Sequence, residues 1–181
     1  MSRRFTLLSE SLLLGVLVFL ASLPLVTTFA AVTAGCALLR DAERTSVGVR
    51  PYGRRLVAVA RAGPLGFAAP VALGLVLTLD WVAVRAGLPG HEALAVLVPL
   101  VALAAAALAL RCAAAWRPGL GWPRAFRSAV QADLYGTALL AMAVVVAMVV
   151  CSAFPLVTPL ALGQLVLAAV AVDARMSPLH A

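Results

Sequence analysis

Residues Thr137 to Val172 read TALLAMAVVVAMVVCSAFPLVTPLALGQLVLAAVAV, an unbroken run without a single charge. At 1.5 Å of rise per residue a single helix of this length would extend about 54 Å, against a hydrocarbon core of about 30 Å. The run must therefore fold back or project far from a bilayer. Pro155 and Pro159 stand near its middle. Proline lacks a backbone N–H and disfavours helix in the residue before it, which makes Phe154 to Pro159 the natural turn.

Working outward, three more uncharged runs appear, at 11–39, 62–79 and 93–110. The latter two fit one membrane span each. The first, about 44 Å as a helix, reads either as one tilted span or as a hairpin around Pro24. The expected fold is all-α: a polytopic transmembrane bundle of five or six short segments with proline-broken helices, forming one domain over 1–181. Basic loops at 40–61 and 111–136 separate the runs.

Composition excludes most water-soluble alternatives, because 64% of the 181 residues are hydrophobic and 12% charged. Mean hydropathy is +1.08. A soluble domain of this composition would expose too much apolar surface. The net charge of +7 comes with 14 basic residues, every one an arginine and most of them clustered between apolar runs. That placement follows the positive-inside bias and argues against nucleic acid as a partner. With both long runs as hairpins, all the arginines except Arg85 lie on one side, which places both termini in the cytoplasm. Six segments are the first choice on this ground. With the first run as one span, Arg3 and Arg4 join Arg85 outside, and five segments follow closely behind. The N-terminal Ser2-Arg3-Arg4-Phe5 also resembles a secretory signal, but the apolar run that follows is longer than a signal core, so an uncleaved first segment is favoured.

Leu23-Pro24-Leu25-Val26-Thr27 recurs as Phe154-Pro155-Leu156-Val157-Thr158. The reading is a shared helix-break device built from Pro24, Thr27, Pro155, Thr158 and Pro159, in which a threonine hydroxyl bonds carbonyls that proline leaves unpaired. An ordinary helix end of Pro and Thr accounts for the repeat equally well. In the second basic loop Trp122, Phe126, Val130 and Leu134 recur every four positions, with Arg124 and Arg127 on other faces. This spacing predicts an amphipathic helix on the membrane surface, serving as an anchor or as a docking face for a partner or anionic lipid. Tyr52 to Arg61 is a weaker case of the same pattern. The alanine-rich third run predicts a helix at the centre of the bundle, since small side chains allow close helix approach.

The stretch Ser22 to Thr27, the small-residue segment up to Arg40, the basic aromatic segments at Tyr52 and Trp122, and the proline-broken C-terminal pair together resemble the YesL-like bacterial membrane proteins of unknown function. The resemblance covers most of the chain. It implies a role beside carbohydrate uptake, because such proteins are commonly encoded near sugar importers and glycoside hydrolases. No catalytic residue is implied.

The residues themselves offer little chemistry. His91 and His180 stand alone, and Cys36, Cys112 and Cys151 have neither metal nor redox spacing. No catalytic, cofactor or metal site is expected. Asp80 and Gln164 are the polar residues expected at membrane depth, Asp80 as a candidate solute or proton group and Gln164 bonding a neighbouring helix. Glu10 and Asp173 read as solvated helix ends. The best functional reading is a non-enzymatic accessory or regulatory component of the cell membrane associated with carbohydrate uptake. The alternative is a small-solute transporter or channel subunit. The partners expected are membrane lipid, a sugar-importer complex and further copies of the same chain.

Overall fold

The computed structural model describes residues 3–22, 27–41, 48–63, 65–86, 91–119, 121–131 and 133–176, without the side chains of 3–12, 65–67, 69, 70, 91 and 176. Pro24 and His180, and the side chains of Glu10 and His91, lie outside the described residues. Among those described, the elements are α1 (Arg3–Ser22), α2 (Thr28–Arg40), α3 (Val49–Arg61), α4 (Leu65–Arg85), α5 (His91–Ala115), α6 (Trp122–Val130), α7 (Leu134–Ala153) and α8 (Thr158–Met176). No strand occurs among them. Among the described residues three segments are long and apolar enough to cross a membrane: Glu92–Ala115, Leu134–Ala153 and Pro155–Arg175. Their outward faces carry residues such as Val96, Leu100, Met142, Val146 and Leu160, all exposed. Lipid, rather than a protein core, is the solvent such faces require.

The long uncharged run forms two helices packed on each other. Asp133 starts α7, its carboxylate accepting from the Tyr135 and Gly136 N–H groups at 3.1 and 3.3 Å. This N-cap satisfies donors that the first helical turn leaves free. The helix ends at Ala153, where Phe154 departs to φ −136, ψ 81. A 3-10 turn over Pro155–Val157 leads into α8, and the Thr158 hydroxyl donates to the Pro155 carbonyl at 2.6 Å. At the other copy of the motif, the Thr27 hydroxyl donates to the Ala21 carbonyl near the end of α1.

α2 is the most enclosed element. Ala30 to Leu38 are buried without interruption, and α1, α3, α4, α5 and α8 all touch the helix. Its sequence explains the enclosure: Ala30, Ala31, Ala34, Gly35, Cys36 and Ala37 leave a thin cylinder that five neighbours can approach. Thr33, wholly buried, is satisfied by donating to the Phe29 carbonyl at 2.7 Å. At 13 residues α2 is about 20 Å long, short of a hydrocarbon core. Both of its ends meet the basic connecting segments. The Phe29 ring lies 5.4 Å from that of Trp122 in α6, and the Ala31 carbonyl accepts from the Tyr52 hydroxyl of α3 at 3.1 Å. At the far end Arg40 donates to the Trp116 carbonyl at 3.2 Å. α2 therefore lies within the layer formed by α3, α6 and the end of α5.

α1 and α8 pack backbone to backbone. A Cβ built on Gly15 would fall 2.2 Å from the Pro159 carbonyl oxygen and 3.1 Å from the Gly163 nitrogen. One turn further along α1, Val18 meets Gly35, which also faces Val166. Contacts thus advance along both helices together, and the two run in the same direction. α5 touches α2, α4, α6, α7 and α8, the central position that its alanines predict, with Ala107, Ala113 and Ala114 buried.

Candidate functional site

The C-terminal ends of α2, α5 and α8 and the start of α7 converge, and each brings a charge. Arg40 closes α2, Arg111 stands in the last turns of α5, Asp173 near the end of α8, and Asp133 caps α7. The Arg40 guanidinium lies 3.5 Å from the Asp173 carboxylate and also donates to Trp116 O, one of the carbonyls that the end of α5 leaves without a helical partner. Arg111 is 6% exposed, and its Nε and Nη2 have no hydrogen-bond partner among the described residues. Its guanidinium fits where it does because Gly136 has no side chain: a Cβ there would sit 2.1 Å from Nη2 and 2.8 Å from Val172. Asp133 and Asp173 lie within electrostatic reach of Arg111, and Arg117 joins Arg40 and Arg111 around Asp173.

Beside this cluster the rings of Trp116 and Trp122 stack at 5.8 Å, with Phe29 beyond them. Both indoles are buried, and neither Nε1 has a hydrogen-bond partner among the described residues. Tyr52, in α3, is buried as well, and its burial raises the phenol above its ordinary pKa. Phe29, Trp116 and Trp122 thus form one aromatic junction joining α2, the end of α5 and α6, and the Tyr52 hydroxyl ties α3 to α2.

The structure redistributes the residues singled out in the sequence. The expected stripe from Trp122 through Phe126 and Val130 to Leu134 does not form one face of one helix. α6 ends at Val130, Asp133 begins a new helix, and the face turned inward is Trp122, Ala125 and Ala129. Packing selects the two alanines, which let α6 lie close to α5, while Phe126 and Val130 point outward with Arg124 and Arg127. Trp122 consequently belongs to the interior and not to a docking face. In α3 the buried residues are Tyr52 and Val59, and Val57 and Ala60 face outward. Gln164 is exposed on α8 rather than turned to a neighbouring helix, and Asp80 is half-buried one residue before Trp81, over which Arg85 lies at 5.3 Å. Asp173, expected as a solvated end, is instead ion-paired and three-quarters buried.

Sequence reasoning missed the charge cluster, although a signal was present. Arg40, Arg111 and Asp173 are each the first charge after an apolar run, so helices ending at one membrane face must bring these residues to one level. Among the described residues no three His, Cys, Asp or Glu side chains gather as a metal site would require. No protein-family model, curated protein or solved structure matches the chain. Fold and surface together define the class: an all-helical membrane protein whose basic segments pack as a layer on one end of the bundle.

Proposed function

We propose that this is a multi-pass cell-membrane protein acting without chemistry of its own, as an accessory or regulatory component whose basic layer engages a partner at the cytoplasmic face. The observation that carries this reading is α6. Its inward face is locked by Trp122, Ala125 and Ala129, so Phe126, Val130, Arg124 and Arg127 are held outward on a fixed support. A rigid patch of aromatic, aliphatic and arginine side chains has the composition of an interface centre. The YesL-like resemblance supplies the proposed setting, association with a carbohydrate importer.

Five crossing helices, α1, α4, α5, α7 and α8, suit this reading better than six. What supports five is the packing of α2, which meets Tyr52 of α3 and Trp122 of α6 near its start and Arg55 of α3 and Trp116 at its other end instead of reaching the opposite side. Support also comes from α1 running in the direction of α8, which carries the N-terminus to the side of the Phe154 to Pro159 turn. Arg3, Arg4 and Arg85 are then external, and the other arginines stay with the basic layer.

Replacing Phe126 with Asp is expected to abolish co-purification with an importer complex while leaving the melting temperature in detergent unchanged, and Arg127→Gln is expected to weaken it less. Equal and negligible effects of both would remove α6 as the docking face. The transporter alternative draws on one observation, the short enclosed α2 beside buried charges, an arrangement that solute pathways use. Solute flux in proteoliposomes would favour it.

A further inference from the structure

We propose that the junction of α2, α5, α7 and α8 is a binding site for a phosphate-type oxyanion, with Arg111 as its principal ligand. The two partnerless nitrogens of Arg111, Nε and Nη2, are the donors of one edge of the guanidinium. That edge holds two oxygens of a phosphate or carboxylate in parallel bonds. A buried ion left with this edge empty loses its hydration without compensation, and native proteins rarely leave such donors unmade.

The surrounding charges favour an anion as the missing partner. Arg40, Arg111 and Arg117 face the carboxylates of Asp133 and Asp173, so three cations oppose two anions and one positive charge remains. The start of α7 adds the partial positive charge of a helix N-terminus. The Arg40–Asp173 contact is long at 3.5 Å, with these side chains 24% and 27% exposed, and because Nε and Nη2 of Arg111 are sealed from solvent, entry of an anion requires the side chains around them to part. Gly136 completes the site by admitting the guanidinium. Phosphate suits the site better than a simple carboxylate, because it carries more negative charge to set against Arg111, Arg40 and Arg117, the three cations around Asp173. A phospholipid headgroup and a free phosphate share this chemistry.

The test uses the full chain in neutral detergent, titrated separately with inorganic phosphate and with a short-chain phosphatidylglycerol, reading the melting temperature and the apparent Kd. Saturable stabilisation of the wild type by one or both probes is expected. Response to both assigns the site to the phosphate group itself, to phosphatidylglycerol alone assigns it to lipid, and to inorganic phosphate alone assigns it to a soluble anion. Arg111→Met removes the unpartnered charge at similar volume, so it should fold and melt no lower without ligand. Its apparent Kd should be weaker by about tenfold or more. Gly136→Ala, which displaces the guanidinium, should weaken binding in the same direction. Arg124→Gln with Arg127→Gln, on the exposed face of α6, should bind as the wild type does. The proposal is overturned if neither probe stabilises the wild type, if Arg111→Met binds unchanged, or if only the α6 substitutions abolish binding.

Discussion

Gly15→Val is expected to remove most of the folded protein from detergent extracts, whereas Gly74→Ala leaves yield and melting temperature at or above the wild-type values. At Gly15 the first added carbon meets the Pro159 carbonyl oxygen at 2.2 Å and the Gly163 backbone just beyond. Both obstacles are main chain, so no rotamer change relieves the overlap, and α1 must separate from α8. Overpacking against movable side chains typically costs about 1–3 kcal/mol. A collision with backbone exceeds that range and is comparable to the whole margin of many folds. Gly74 has nothing within 4 Å of its added carbon, and alanine gains about 1 kcal/mol of helix propensity there. Equal yields of the two variants would mean that α1 does not pack on α8 as described.

The second large effect is expected from Trp116→Ala. Trp116 is 1% exposed and stacks on Trp122, so its truncation leaves a cavity where α2, α5 and α6 meet. Such losses cost about 3–5 kcal/mol. Denaturant titration should show a large drop in stability, with proteolysis beginning in the segment that holds α6. Phe126→Ala, on the exposed face of the same helix, should shift stability by under about 0.5 kcal/mol. A similar small shift for both would indicate that the stacked pair does not anchor the basic layer.

The all-helical character and the turn after Ala153 were legible because they follow from length: no single helix can place the residues from Thr137 to Val172 inside a bilayer. The small-sided α5 was legible for a related reason, since alanine is selected where helices approach closely. The first apolar run was not, because apolarity alone does not distinguish a residue facing lipid from one facing protein. Leu13 and Leu14 are chemically identical, yet one is exposed and the other fully buried. The same ambiguity hides α2, whose small residues suit either a membrane arm or the enclosed helix it is.

The face of α6 was misread for a different reason. Trp122, Phe126 and Val130 form the bulkier stripe, but space beside α5 admits Ala125 and Ala129, and packing overrides bulk. The cluster of Arg40, Arg111 and Asp173 was hidden because a charge beside an apolar run ordinarily reaches water. Its burial depends on four helix ends meeting at one level, a tertiary property that no single segment encodes.

The central claim is that five helices cross the membrane and that α2 stays with the basic layer, which puts the N-terminus and the Phe154 to Pro159 turn on the same outer side. It is tested most directly in a variant with Cys36, Cys112 and Cys151 replaced by alanine, carrying a single cysteine at Ser2, Leu156 or Arg124. An impermeant thiol reagent added to intact cells should label the cysteines at Ser2 and at Leu156, which is 95% exposed, and should reach Arg124→Cys only after permeabilisation. Labelling of Leu156→Cys from outside, with Ser2→Cys protected until the membrane is opened, would contradict the account and restore an out-and-back hairpin for the first apolar run.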